Sequence, residues 1–239
     1  MTPYPPPQAG NAGETEGDVR GVPAGQPEAV PAETAAPTDE AASAPTRKRP
    51  KPGERRVQIL QTLATMLEEP GAERVTTAAL AAKLEVSEAA LYRHFASKAQ
   101  MFEGLIDFIE QSVFTLVHQI NERESDPSAQ VRRVLQVLLQ FGEKNRGMTR
   151  VMVGDALVFE NERLVARMNQ FFERIESQLR QSLRSHAEAS GSTTPTVDAN
   201  AQASVLMAFA VGRLQRFARS GFRKTPTEHL DVALRFFGA

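Results

Sequence analysis

The chain has 239 residues, 41% hydrophobic and 24% charged, enough for one or two domains with a hydrophobic core. It has no cysteine, which excludes disulfides, zinc–thiolate sites and cysteine nucleophiles, and no apolar run approaches the ~20 residues a bilayer crossing needs. The net charge of −1 hides an asymmetry: residues 1–46 carry seven acids and one base, the remainder 27 bases and 22 acids, so the foldable part is basic. With no signal-like N-terminus, the chain reads as a soluble cytoplasmic protein.

Residues 1–46 hold nine of the 15 prolines and almost no large apolar side chains, and they read as disordered because too little surface can be buried to offset ordering. A basic arm follows at Arg47, Lys48, Arg49 and Lys51. It is expected to lie along phosphates or to enter a minor groove, with the acidic segment competing for the same basic surface. The extension is read as residues 1–52. From Glu54 the pattern is helical throughout, without convincing period-two alternation, so an all-α fold is predicted. A first helix is expected over 54–68, with Val57, Leu60, Ala64 and Leu67 inward. Pro70-Gly71 ends it. Thr76 or Thr77 caps a short second helix over 78–84. Glu85-Val86 makes a tight turn, and Ser87 caps a third helix over 88–95, buried through Leu91 and Phe95.

A capping box, Ser97-Lys98-Ala99-Gln100, opens a long fourth helix carrying Phe102, Leu105, Ile109, Val113 and Leu116. Asp126-Pro127 caps and starts a fifth. Gly147 reads as a break, followed by a short sixth helix over 149–155 and a long seventh over 160–186. An eighth is expected over 198–219, and a second proline-plus-box start at Thr225–Glu228 opens the last. Residues 53–100 form the expected headpiece and 101–239 a helical domain for dimerisation and partner binding. Helices seven and eight are long enough that one copy would leave an apolar face wet. Phe171, Phe172, Ile175, Leu179, Leu206, Phe209, Leu214 and Phe217 are therefore the expected homodimer interface, paired as a four-helix bundle.

Helices two and three meet across about three residues between Leu84 and Glu88, the pattern of a helix-turn-helix. Small residues at the start of the third helix allow close approach to base edges, and Ala89 could touch a thymine methyl. The helix starts at Thr76, Thr77 and Ser87 favour phosphate oxygens, and Glu88, Tyr92, Arg93, His94 and Lys98 complete the candidate DNA face. The bland reading is a three-helix bundle with a solvated face.

The run Thr-Thr-Ala-x-Leu-Ala-x-x-Leu-x-Val-Ser-x-x-Ala-Leu-Tyr-x-His-Phe-x-Ser-Lys from Thr76 to Lys98 resembles the TetR family of transcriptional regulators. Residues 59–68, 86–95, 141–150, 156–160 and 172–181 resemble more narrowly the nucleoid occlusion factors, a divergent branch of that family. The resemblance implies a homodimer on palindromic double-stranded DNA, associated with the nucleoid, with higher-order assembly on DNA left open. It also implies antagonism of the tubulin-like division protein FtsZ, whose C-terminal tail would enter a groove beside helices four and five. Phe108, on helix four, is the first candidate contact, the alternative being a core phenylalanine. The acidic extension is not part of the family pattern.

The histidines His94, His118, His186 and His229 are scattered without ligand spacing, so no metal or other cofactor is expected. No phosphate loop or nucleophile elbow suggests an enzyme. Two other functions stay open: a ligand-responsive TetR-type repressor with an inducer pocket, and a purely structural chromosome-binding protein.

Overall fold

Local capping chemistry fixes most of the helix starts. The structure is a computed structural model and describes residues 53–69 and 74–237. These lie in the second of the chain's two units, Lys48–Ala239. The basic arm Arg47, Lys48, Arg49 and Lys51, and the acidic segment before it, lie outside the described residues.

Nine α-helices occur among the described residues: α1 Glu54–Glu68, α2 Thr77–Lys83, α3 Glu88–Tyr92, α4 Lys98–Arg123, α5 Pro127–Lys144, α6 Arg146–Met152, α7 Glu162–Ala189, α8 Pro195–Arg219 and α9 Leu230–Phe236. A 3-10 turn, Asp155–Leu157, precedes α7. Thr76 Oγ1 accepts from the Ala79 amide at 3.1 Å, and Ser97 Oγ accepts from that of Gln100 at 3.2 Å. Asp126 accepts from the amides of Ser128 and Ala129 through its two oxygens, each at 3.1 Å, with Pro127 at the first helical position. Each bond satisfies a donor that a helix start leaves unpaired. Gln100 completes its box one residue earlier than the motif suggests: its Oε1 accepts from the Ala96 amide at 2.7 Å.

The core runs through both parts of the described chain. Leu63, Leu80, Leu91 and Phe95 bury the headpiece, and Phe102, Ile109, Leu135, Leu138, Phe171, Ile175 and Leu206 the body, all at 1% exposure or less. α7 packs most extensively on α8, and α5 lies against α4, α7 and α8.

Several expectations are corrected. The buried row of α1 is Ile59, Leu63, Ala64 and Leu67, while Val57 is exposed, because α1 presents its Ala64 side to α6. On α4 the inward residue is Val117 and Leu116 is exposed. Helix α3 stops at Tyr92 and a turn carries the chain to Phe95. Gly147 is not a break. It lies inside α6, where an added Cβ would sit 1.9 Å from the Ala64 carbonyl oxygen, so this glycine is what lets α1 and α6 cross. The box at Thr225–Glu228 does not open the last helix: Pro226 is buried, Thr227 Oγ1 donates to Glu143, and α9 starts only after His229 at φ 56°.

The dimer stripe is corrected as well. Phe171, Ile175, Leu179, Leu206, Leu214 and Phe217 are all buried within one copy, where α7 and α8 pack on each other and on α5. Phe172 and Phe209 are half-buried, the first edge-on to Phe171 at 5.1 Å and the second to Phe237 at 5.3 Å. A single subunit's own core consumes most of the apolar face that was expected to stay wet, all of it except Phe172 and Phe209. The outward face of α8 carries a different row instead: Val197, Ala201, Val205, Ala208 and Gly212, all exposed.

Candidate nucleic-acid interface

The turn between α2 and α3 depends on one strained residue. Glu85 adopts φ 54°, and the amides of Glu85 and Val86 donate to the carbonyls of Ala82 and Ala81 at 3.0 Å each. This reverses the chain and brings the starts of the two helices together. Thr77 Oγ1 donates to Glu88 Oε2 at 2.6 Å, across the two helix starts. The pair was expected at DNA; the structure spends the Thr77 proton and one Glu88 oxygen on locking α2 to α3.

Thr76 and Ser87 are exposed, and each uses its hydroxyl oxygen to cap its helix. That leaves both hydroxyl protons able to point outward to an acceptor. Along α3, Glu88 and Ala89 are exposed, Tyr92 is 44% exposed, and Arg93 is exposed at the helix end. These side chains form one outward face. His94 is half-buried; its carbonyl accepts from Arg56, whose guanidinium also lies 4.1 Å from the centre of the Phe95 ring. His94 thus helps tie α3 to α1.

Lys98 behaves differently from the expectation of a phosphate donor. Its ammonium lies 2.5 Å from Glu160 Oε1 and 5.6 Å from the centre of the Phe102 ring, with its side chain 26% exposed. The charge is held by the body of the protein, and Glu160 is a contact the sequence reading did not find.

Phe108 is 47% exposed on α4, its ring 6.4 Å from that of Phe141 on α5. The core alternative is overturned. With half-buried Ser112 and exposed Leu116 at successive four-residue steps, it makes a partly apolar face on α4 on the α5 side. The neighbouring seam of α4 is charged: Arg163 reaches Glu103 at 2.6 Å, and Arg167 reaches Asp107 and Glu110 at 2.6 Å each. Hydrogen bonding to Glu110 raises the Arg167 pKa above its ordinary value. Among the described residues no cluster of three or more potential metal ligands occurs, and no helix is long and apolar enough to cross a membrane.

The exposed Arg93 gives a direct test of the face. Arg93→Ala is expected to weaken binding to all duplexes alike and to lower the slope of affinity against salt by about one, because a phosphate contact positions without specifying. Melting should be unchanged. Thr76→Ala is a poorer probe, since losing the cap alone costs about 1 kcal/mol. Unaltered DNA affinity and salt slope in Arg93→Ala would remove this residue from the interface.

Comparison with known proteins agrees with this geometry. The family described as "Bacterial regulatory proteins, tetR family" matches residues 59–105, which contain the helix-turn-helix, and "Tetracyclin repressor-like, C-terminal domain", of SlmA-like type, matches residues 126–239. The chain is 53% identical over 178 residues to the nucleoid occlusion factor SlmA of Photobacterium profundum, covering 74% of this chain and 90% of that one. The same identity and coverage hold for the nucleoid occlusion factor SlmA of Vibrio cholerae. Among solved structures, the TetR family transcriptional regulator PfmR of Thermus thermophilus superposes with a TM-score of 0.58 at 20% identity, over 75% of this chain and 96% of that one, a likeness of fold. The chain belongs to the SlmA family of nucleoid occlusion factors, within the TetR family of bacterial regulators.

Proposed function

We propose that this protein binds palindromic chromosomal sites as a homodimer and, when bound, inhibits assembly of FtsZ over the nucleoid. The observation that carries the reading is that α4 joins two exposed features: it follows directly on the recognition helix and presents Phe108 beside α5. A short tail that folds on binding would take such an exposed aromatic ring as its anchor.

The outward row of α8 supports a second copy packing there. Its residues are small or β-branched, and nothing lies within 4 Å of a Cβ built at Gly212, so two such helices could approach closely. Two recognition helices held by a two-fold axis about 34–36 Å apart would meet successive major grooves. The inducer-repressor reading has less support. Val113, Leu135, Leu138, Phe171 and Ile175, all fully buried, fill the space between α4, α5 and α7, and the cleft of about 310 Å³ between α4 and α7, lined by Phe114, His118 and Arg174, opens outward.

Selection from a random duplex pool tests the DNA half of the reading. The full chain should enrich sites with two-fold symmetry and half-sites one helical turn apart. Enrichment of unpaired half-sites, or none, would contradict it.

A further inference from the structure

The connection between the 3-10 turn and α7 holds one end of the helix-turn-helix by an ion pair and approaches the other with an exposed ring. Glu160 takes the ammonium of Lys98, the first residue of α4, the helix that follows α3 after a five-residue turn, and its own side chain is only 10% exposed. One residue earlier, the ring of Phe159 lies 5.9 Å from the guanidinium of Arg74, just before the cap of α2. Both ends of the reading unit therefore meet the same dipeptide of the body. The seam continues behind it through Arg163–Glu103 and Arg167–Asp107/Glu110, a line of ion pairs from α7 to α4.

We propose that Glu160 is a positioning residue for DNA recognition: through Lys98 it sets the angle of the helix-turn-helix against the body, and so the spacing of the two recognition helices in the dimer. This rests on the dimeric reading above. A single headpiece can settle on a half-site at any angle to its body, whereas two joined headpieces must match the groove repeat together. Loosening the clasp spreads their separations and lowers the effective concentration of the second headpiece at its half-site. A nearly buried carboxylate leaves its partner little choice of geometry, which suits it to the task. The competing possibility is that Glu160 imitates a phosphate and withholds Lys98 from DNA. The two ideas have opposite signs.

The test uses the full-length chain with Glu160→Gln, Lys98→Met and the double variant. Each is bound to three duplexes: a palindrome selected by the unmodified chain from a random pool, one half-site of it, and the palindrome with one base pair added between half-sites. The unmodified chain should prefer the palindrome strongly and reject the added base pair. Glu160→Gln should lose about tenfold on the palindrome, stay within about twofold on the half-site, and discriminate less against the altered spacing. Lys98→Met should match it, and the double variant should be no worse than either, as expected for two residues acting as one unit. Equal losses on palindrome and half-site, or tighter binding to both by Glu160→Gln, would overturn the proposal. If the unmodified chain itself prefers neither palindrome nor spacing, the dimeric reading falls and this proposal with it.

Discussion

Gly147→Ala is expected to destabilise the fold by about 3 kcal/mol or more, at the upper end of what overpacking costs. The added methyl carbon would lie 1.9 Å from the carbonyl oxygen of Ala64, 2.8 Å from its carbonyl carbon and 3.3 Å from its Cα. These are backbone atoms of α1, so no rotamer change relieves the clash. α1 and α6 must separate, and α1 is the helix on which the headpiece core closes through Leu63 and Leu67. The gain from replacing a helical glycine by alanine, about 1 kcal/mol, has the opposite sign and is outweighed. Gly142→Ala provides the contrast. Its new carbon meets a terminal methyl of Leu214 at 2.4 Å, which can rotate, and Thr149 Oγ1 at 3.0 Å. Thermal melting should show a fall of about 6–12 °C for Gly147→Ala and a smaller one for Gly142→Ala. Equal melting of Gly147→Ala and the unmodified chain would mean that α1 and α6 do not cross as described.

The second large effect is expected at Phe108. A half-exposed ring contributes little to the core, so Phe108→Ala should cost far less than the about 3–5 kcal/mol of a buried phenylalanine. As the anchor of a peptide groove it should nevertheless account for most of the binding, since a few buried aromatic contacts dominate such interfaces. Loss of affinity for an FtsZ C-terminal peptide by about thirtyfold or more, at about 2 kcal/mol per hot spot, is expected, with melting and DNA affinity nearly unchanged. Unaltered peptide binding would move the groove elsewhere, and a large fall in melting temperature would return Phe108 to a structural role.

The starts of α2 to α5 were legible in the sequence because a cap is a local matter. A hydroxyl or carboxylate at Thr76, Ser87, Ser97 or Asp126 serves amides two or three residues ahead, and no tertiary knowledge is needed to see it. The outward face of α3 followed from the same reasoning. The errors lie where distant residues decide. Gly147 resembles a break until Ala64 is known to cross it, and Lys98 resembles a free cation until Glu160, 62 positions away, is placed beside it. Periodicity identified apolar rows on α7 and α8 but could not tell a row facing its own core from one facing a second copy. Six of the eight residues in those rows are buried internally, with Phe172 and Phe209 half-buried, and the outward row of α8 is so small in side-chain size that it carries little hydrophobic signal. At Thr225–Glu228 a sound local motif lost to tertiary packing, with Pro226 buried and Thr227 bound to Glu143.

The proposed function has DNA converting this protein into an inhibitor of FtsZ assembly. On the proposed reading a dimer would carry two tail sites, and several dimers on one duplex would present many at high effective concentration to a polymer that itself displays many tails. Sedimentation of FtsZ polymers with the full-length protein, with and without a duplex carrying its selected palindrome, tests this most directly. The account predicts a large loss of pelleted FtsZ when cognate duplex is present, a small loss without it, and little loss with Phe108→Ala on the same duplex. Equal inhibition with and without cognate DNA, or none in either case, would contradict it.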